Sequence, residues 1–281
     1  MQDLWKKMNP CTLCPRNCKV NRSNGQTGFC GLTDKPKVSS TGPHFGEESV
    51  LVGPGGSGTI FFSGCNLGCL FCQNFDISHH RLGSECDIDE LASSMLLLQG
   101  LDCSNINLVT PTHLAAPIAA AIESARAKGL KLPIVYNTGG YDSLETLQLL
   151  EGYIDIYMPD MKYSDSKIAK DLSDAPDYPQ INLLAVKEMH RQVGDLQIKN
   201  SLATKGLLVR HLVLPERLAG SFETIDFLAR EISQKTTINV MAQYRPCFKA
   251  KTYPKINRYP LPVEISEVRQ YATQKGLNVL M

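Results

Sequence analysis

The 281-residue sequence predicts an α/β fold, an open, partial (β/α)6 barrel of TIM-like form, preceded by a cysteine-rich extension. Three observations predict it. From Thr59 onward, short β-branched apolar runs alternate with amphipathic stretches of helical period, the pattern of a parallel sheet covered by helices. Before residue 58 that alternation is missing, and Cys11, Cys14, Cys18 and Cys30 stand among Pro10, Pro15, Gly25, Gly28 and Gly31. Where the two regions meet, directly after the first strand-like run, Cys65, Cys69 and Cys72 fall at Cys-x3-Cys-x2-Cys spacing.

Residues 1–57 are expected to form a metal-binding extension and approach segment without regular secondary structure, and 58–281 the barrel. Turn formers around close-set cysteines describe a knuckle whose core is a metal rather than side chains. Four thiolates would close such a site, as structural zinc or an auxiliary cluster; four reduced thiols are the alternative. Arg16 and Arg22 could offset thiolate charge, but exposed arginines are common and no role is assigned to them. Residues 42–58 read as a segment crossing the face of the barrel, with Glu47 and Glu48 either functional or simply solvated.

The strands are expected over 59–63, 105–110, 133–137, 154–158, 207–214 and 239–242. The helices between and after them are expected over 88–99, 114–128, 143–150, 181–193 and 222–233, with a last helix over 266–275 and a last strand over 277–280. A net charge of +1 gives no electrostatic footprint for nucleic acid. No run approaches the ~18 apolar residues of a membrane span, and no secretory signal opens the chain. Ten cysteines in such a chain point to metal binding in a reducing cytoplasm rather than to disulfides.

The central loop carries the chemistry. Thiolates are soft ligands for iron, and cysteines from one short loop reach neighbouring corners of a cubane cluster. Three of them leave one iron of a four-iron cluster open, whereas an electron carrier or a structural zinc site is normally closed by four. A zinc loop, or three buried thiols, is the alternative. Phe71 offers an aromatic face to a cluster or a purine.

In a parallel barrel, reactive groups collect at the C-terminal strand ends. The second strand ends in Thr110-Pro-Thr112-His113, with His113 either a ligand or a helix cap. The third ends in Asn137-Thr138-Gly, and the fourth in Asp160-Met-Lys162. An ion pair between Asp160 and Lys162 is expected to be disfavoured, the two being read as facing opposite ways. Arg210 and His211 do point to opposite faces of the fifth strand, and Arg210 is assigned to the barrel interior. Gln243 ends the sixth strand; Lys249, Lys251, Lys255 and Arg258 read as a solvated loop. Cys86, Cys103 and Cys247 read as packing or surface thiols.

The Cys65-x3-Cys69-x-Phe71-Cys72 loop resembles the signature of the radical S-adenosylmethionine (SAM) superfamily. Asn137-Thr138-Gly followed by Asp160-x-Lys162 is similar to its glycyl-radical-enzyme activase branch. Together with the four-cysteine start and Gln243-Tyr-x-Pro246, these segments resemble the subgroup related to the pyruvate formate-lyase activating enzyme. The Gly-Gly-Glu segment common in the superfamily after the second strand is replaced here by Thr110-Pro-Thr-His113.

The resemblance implies a [4Fe-4S] cluster on Cys65, Cys69 and Cys72, and SAM chelated at the open iron. It implies reductive cleavage of SAM and hydrogen abstraction from a substrate, a protein or peptide being favoured, with a flavodoxin- or ferredoxin-type reductant. Lys162 would meet the SAM carboxylate. Asp160, Asn137 and Thr138 would hold a cation or the ribose, and Thr110, Thr112 and His113 the amino group or ribose. Phe71, Arg210 and Gln243 would complete the wall. The same chemistry on a small molecule, or an iron–sulfur electron-transfer or binding protein, are the rival readings.

Overall fold

The computed structural model describes residues 1–280. In chain order these form α1 (Gln2–Lys6), β1 (Lys37–His44), β2 (Ser57–Phe62), α2 (Phe75–Ser78), β3 (Ser84–Glu85), α3 (Ile88–Gly100) and β4 (Ile106–Val109). There follow α4 (Ala115–Ala127), β5 (Ile134–Thr138), α5 (Leu144–Leu149), β6 (Ile156–Pro159), α6 (Ser166–Ser173) and α7 (Tyr178–Val193). The chain ends with β7 (Gln197–Lys199), β8 (Leu202–Leu212), α8 (Ser221–Phe227), β9 (Thr237–Met241), α9 (Pro262–Gln274) and β10 (Asn278–Leu280).

The strands form one sheet in the order β10-β9-β8-β6-β5-β4-β2-β1-β3, with β7 attached to β8. From β2 to β10 every pairing on that path is parallel, and β1 and β3 add an antiparallel edge. The ends of the path, β3 and β10, do not pair among the described residues, so the predicted open, partial barrel is what forms.

Alternation along the strands divides the core into two faces. Ile60, Ile106, Leu108, Ile134, Tyr136, Tyr157, Leu207, Val209, Ile238 and Val240 point outward into the layer of helices, all fully buried. Val135, Ile156, Met158 and Leu208 point inward and pack against Val50 and Leu51. The segment between β1 and β2 therefore enters the open barrel and plugs it with apolar side chains. Above that plug the inward positions turn polar.

The helices start where local chemistry satisfies their free N–H groups. In α3, Asp87 Oδ1 accepts from Glu90 N and Glu90 Oε2 accepts from Asp87 N, both at 2.8 Å, a reciprocal capping box. The start of α7 lies at Tyr178, three residues before the expected 181, because Pro179 serves in a first helical turn where its missing N–H costs nothing. The helix expected over 222–233 is divided, α8 giving way to a wider turn over Leu228–Ile232.

Two expectations for the N-terminal region are corrected. Residues 37–44 were expected to be irregular but form β1, paired with β2 from His44↔Ser57 to Val38↔Phe62. Its Gly42-Pro43 and its polar, half-exposed composition suit a strand near a sheet edge and hide it from a search for apolar runs. Arg22 is not an exposed arginine. It is 1% exposed, and its guanidinium donates to Thr33 O at 3.0 Å (Nε) and to His113 O at 2.6 Å (Nη1). Arg16 lies 3.7 Å above the Phe29 ring and donates to Asn66 O at 2.8 Å. A buried guanidinium is tolerable only when its donors are satisfied in this way.

Candidate active site

The loop that follows β2 is pinned on several sides. Gly64 has φ +74°, and a Cβ there would lie 2.7 Å from Cys30 O, so only glycine allows this approach to the N-terminal region. Asn66 Nδ2 donates to Tyr141 O at 2.6 Å, while Gly68 N and Leu70 N donate to Ser173 O and Leu172 O at the end of α6. The three sulfurs also take part in hydrogen bonds. Leu67 N donates to Cys65 Sγ at 3.3 Å and Ser173 Oγ to Cys69 Sγ at 3.0 Å, and Cys72 Sγ lies 3.1 Å from Ser78 Oγ. Burial pushes the Cys65 and Cys69 thiols upward, the neighbouring sulfurs adding to it at Cys65 and Lys162 opposing it at Cys69.

Cys65, Cys69 and Cys72 open into a cavity of about 240 Å³. Phe71, Thr110, Asn137, Thr138, Asp160, Lys162, Arg210 and Gln243, all singled out from the sequence, line the same cavity. Phe71 is 5% exposed and meets Tyr244 edge-to-face at 5.6 Å. A surface cleft of about 430 Å³ beside Trp5, Cys86 and Pro117 is larger, but no comparable set of thiols and buried charges converges on it.

Asp160, Lys162 and Arg210 form the charged wall. Lys162 Nζ donates to Asp160 Oδ2 at 2.6 Å, Arg210 Nε to Asp160 Oδ1 at 2.9 Å, and Arg210 Nη2 to Asn137 Oδ1 at 2.7 Å. The ion pair expected to be disfavoured is therefore formed. Side chains two positions apart on an extended chain share a face, so Asp160 and Lys162 both turn inward. Burial alone would raise the Asp160 carboxyl, but Arg210 and Lys162 outweigh it and hold it below the usual carboxylate range.

Thr112 and His113 lie behind the cavity wall. Thr112 Oγ1 donates to Asp142 Oδ1 at 2.8 Å and stands 2.9 Å from Thr138 Oγ1, while Thr138 Oγ1 bonds Asp142 Oδ2 at 2.7 Å. His113, 1% exposed, uses Nε2 toward Ser63 O at 2.8 Å, supporting the residue that precedes the thiol loop. Burial, with Arg22 nearby, pushes its pKa down to about 3, so the ring is neutral. His211 is likewise an interior histidine, held by Met161 O and Ser221 Oγ at 2.7 and 2.8 Å.

Tyr178 and Asn182 were not found from the sequence. The buried Tyr178 hydroxyl accepts from Lys162 N at 3.0 Å and lies 2.9 Å from both Gly139 O and Asp160 O. Asn182 Nδ2 donates to Gly140 O and Asp160 O at 2.9 and 3.0 Å. The two stand four apart on one face of α7 and lock the β5 and β6 ends together. That spacing of two polar residues on an otherwise apolar face was the available signal.

The four N-terminal cysteines gather in one set of turns: Cys11 N bonds Val20 O, Asn17 N bonds Cys14 O, and Phe29 N donates to Cys18 Sγ at 3.3 Å. Burial, reinforced by the other three sulfurs, pushes Cys14 up to about 12. Among the described residues no three Cys, His, Asp or Glu side chains are drawn into a ready metal site.

Comparison with known proteins agrees with this geometry. The radical SAM superfamily matches residues 59–209. An uncharacterized protein of Methanocaldococcus jannaschii is 32% identical over 280 residues, covering 96% of this chain and 76% of that protein. Among solved structures, SuiB of Streptococcus suis bound to the precursor peptide SuiA matches with a TM-score of 0.52 and 15% identity. SuiB bound to S-adenosylmethionine matches with a TM-score of 0.54 and 14% identity. Each alignment covers 77% of this chain, which spans 46% and 47% of the two SuiB chains, so the likeness is one of fold. The matched superfamily consists of enzymes that carry a [4Fe-4S] cluster and use SAM, the two groups that an open three-thiol loop beside a charged cavity suits. The chain belongs to the radical SAM superfamily.

Proposed function

We propose that the protein cleaves SAM reductively and abstracts hydrogen from a protein or peptide substrate, in the manner of a glycyl-radical-enzyme activase. One observation carries the reading: three thiols of one loop and the Asp160–Lys162–Arg210 array line the same cavity. When bound, the cluster and SAM supply the electron transfer that yields methionine and a 5′-deoxyadenosyl radical. Cys65, Cys69 and Cys72 are the cluster ligands in this reading. The hydrogen bonds from Leu67 and Ser173 lie where they stabilise charge on the Cys65 and Cys69 sulfurs.

Lys162 and Arg210 share one carboxylate, so that wall keeps an excess cation suited to the carboxylate of SAM. Asn137, Thr138 and Thr110 offer polar atoms to the ribose or amino group, while Phe71 offers an aromatic face and Gln243 an amide to the adenine side. Leu67, Val109, Leu212 and Met241 supply an apolar lining that limits the water able to quench a radical. The peptide-bound SuiB structure supports a peptide substrate at this kind of fold. A flavodoxin- or ferredoxin-type reductant and a cytoplasmic setting belong to the same reading.

The N-terminal cysteines are proposed to hold a closed metal site, zinc or an auxiliary cluster. Metal analysis of reconstituted protein then reads about one zinc beside four irons, or about eight irons. The decisive assay is anaerobic, with reconstituted protein, dithionite and SAM, detecting 5′-deoxyadenosine by mass spectrometry. Cys69→Ala is expected to lose both the visible cluster absorption and SAM cleavage; cleavage retained by that variant would sink the assignment.

A further inference from the structure

Beside the thiol-lined cavity lies a second chamber of about 310 Å³. It shares Arg210, Met241 and Gln243 with the first, and its own polar lining includes Glu47, Glu48 and Asn239. The two glutamates come from the segment between β1 and β2, immediately before the Val50–Leu51 plug. They are thus carried into the open barrel by the same stretch that closes its floor.

These carboxylates are only partly satisfied by the protein. Glu48 Oε1 accepts from Asn239 Nδ2 at 3.0 Å, but the buried Oε2 has no partner among the described residues. The Glu47 side chain is only 9% exposed, with the His44 ring 3.3 Å away and the Asn107 side chain beside it. Asn107, fully buried beside Glu47, also has an unpartnered Oδ1. Arg210 faces both glutamates but spends Nε on Asp160 and Nη2 on Asn137, and it forms no ion pair with either among the described residues.

An acceptor buried without a donor costs about 1–3 kcal/mol, more when it is charged. Here Glu48 Oε2 is such an oxygen at the chamber wall and Asn107 Oδ1 a second one behind Glu47, and in this chamber Glu47 and Glu48 stand against Arg210 alone, which is already engaged by Asp160. A ligand rich in N–H donors and carrying positive charge supplies what is missing at Glu47 and Glu48; an anion placed on these two carboxylates meets repulsion. We propose that this chamber binds a cationic group of the hydrogen-donating substrate, an ammonium or a guanidinium, on Glu47 and Glu48. The inference rests on the radical SAM reading of the adjoining cavity and adds the charge of the substrate to it. For a protein substrate, the group is a lysine or arginine side chain.

The test is calorimetry on the reconstituted full chain with four probes. Nα-acetyl-arginine amide and Nα-acetyl-lysine amide are the cations, and the citrulline and norleucine counterparts are the neutral controls. At least one cation is expected to saturate at millimolar concentration, about tenfold more tightly than its neutral counterpart. Glu48→Gln is expected to weaken it about fivefold or more. Should that variant fail to fold, Asn239→Lys provides a tethered ammonium at the same carboxylate. It is expected to keep the melting temperature and to abolish cation binding. Equal affinity for charged and neutral probes, saturation by neither, or unchanged affinity in the variants overturns the inference. SAM titrated into the same preparations tests the underlying reading separately. SAM binding without cation discrimination removes only the chamber, and cation discrimination without SAM binding removes only the radical chemistry.

Discussion

Asp160 is the residue on which the charged wall depends, and Asp160→Asn measures how much. The carboxylate takes hydrogen bonds of 2.6 Å from Lys162 and 2.9 Å from Arg210, with the three side chains only 13–18% exposed. A carboxamide has one acceptor oxygen and no charge, so one cation keeps a weakened bond and the other is left buried and unpaired. Removing one partner from a buried ion pair costs about 3–5 kcal/mol. Spread over the unfolding entropy of a chain of this size, that is a fall of roughly 5–10 °C in melting temperature. Lys162→Met is the matched control, since Asp160 there keeps Arg210. A loss below about 2 kcal/mol is expected, together with SAM affinity weakened about tenfold. Differential scanning fluorimetry with a parallel SAM titration reads both. An Asp160→Asn protein melting within about 1 °C of the parent would refute the argument that this carboxylate holds two buried cations in place.

Two further perturbations probe the frame around the site. Gly140 has φ +75°, and a Cβ there would lie 2.1 Å from Asp160 O and 2.3 Å from Asn182 Nδ2. Gly140→Ala is therefore expected to cost at least about 3 kcal/mol in urea denaturation, and a midpoint close to the parent's would show that the contact relaxes freely. The buried His211, pushed down to about 4, binds its proton in the unfolded chain near 6.5 but not in the fold until pH nears 4. Stability is then full above pH 6.5 and falls as pH drops from about 6.5 toward 4, because the unfolded state takes up the proton first. In His211→Gln that dependence is expected to flatten by up to about 1.4 kcal/mol per pH unit over this window. Urea midpoints at pH 7, 6 and 5 check it, and parallel pH curves for parent and variant would contradict it.

The parallel strands were legible because each is buried on both faces and is written as a near-continuous apolar run. Polar residues interrupting or ending such runs, Asn137, Asp160 and Arg210, were legible for the same reason: burial there is costly unless something polar faces them. What escaped notice depends on partners remote in sequence. Arg22 is explained only by His113, 91 positions later, and by backbone carbonyls that no side-chain pattern records. Tyr178 escaped because Pro179 reads as a break when it is a beginning. Thr112 and Thr138 belong to a chemistry the sequence hinted at, but Asp142 claims both hydroxyls, and a carboxylate four residues beyond a strand end carries no mark of turning back inward. The Asp160–Lys162 pairing was misjudged through the geometry of alternation rather than for want of a signal.

The contacts of Arg22 and Arg16 bear on whether the cysteine-rich segment can be exchanged as a module. The cysteine-rich segment has the look of a cassette, a compact unit that recombination could attach to a ready-made barrel. Its guanidinium groups, however, end on carbonyls beside the thiol loop, at His113 and Asn66, and Gly64 gives way to Cys30. Such a seam fits only its own counterpart. The segment and the loop share one packed surface, and a graft that cuts between residues 30 and 64 would separate the two halves of a single joint.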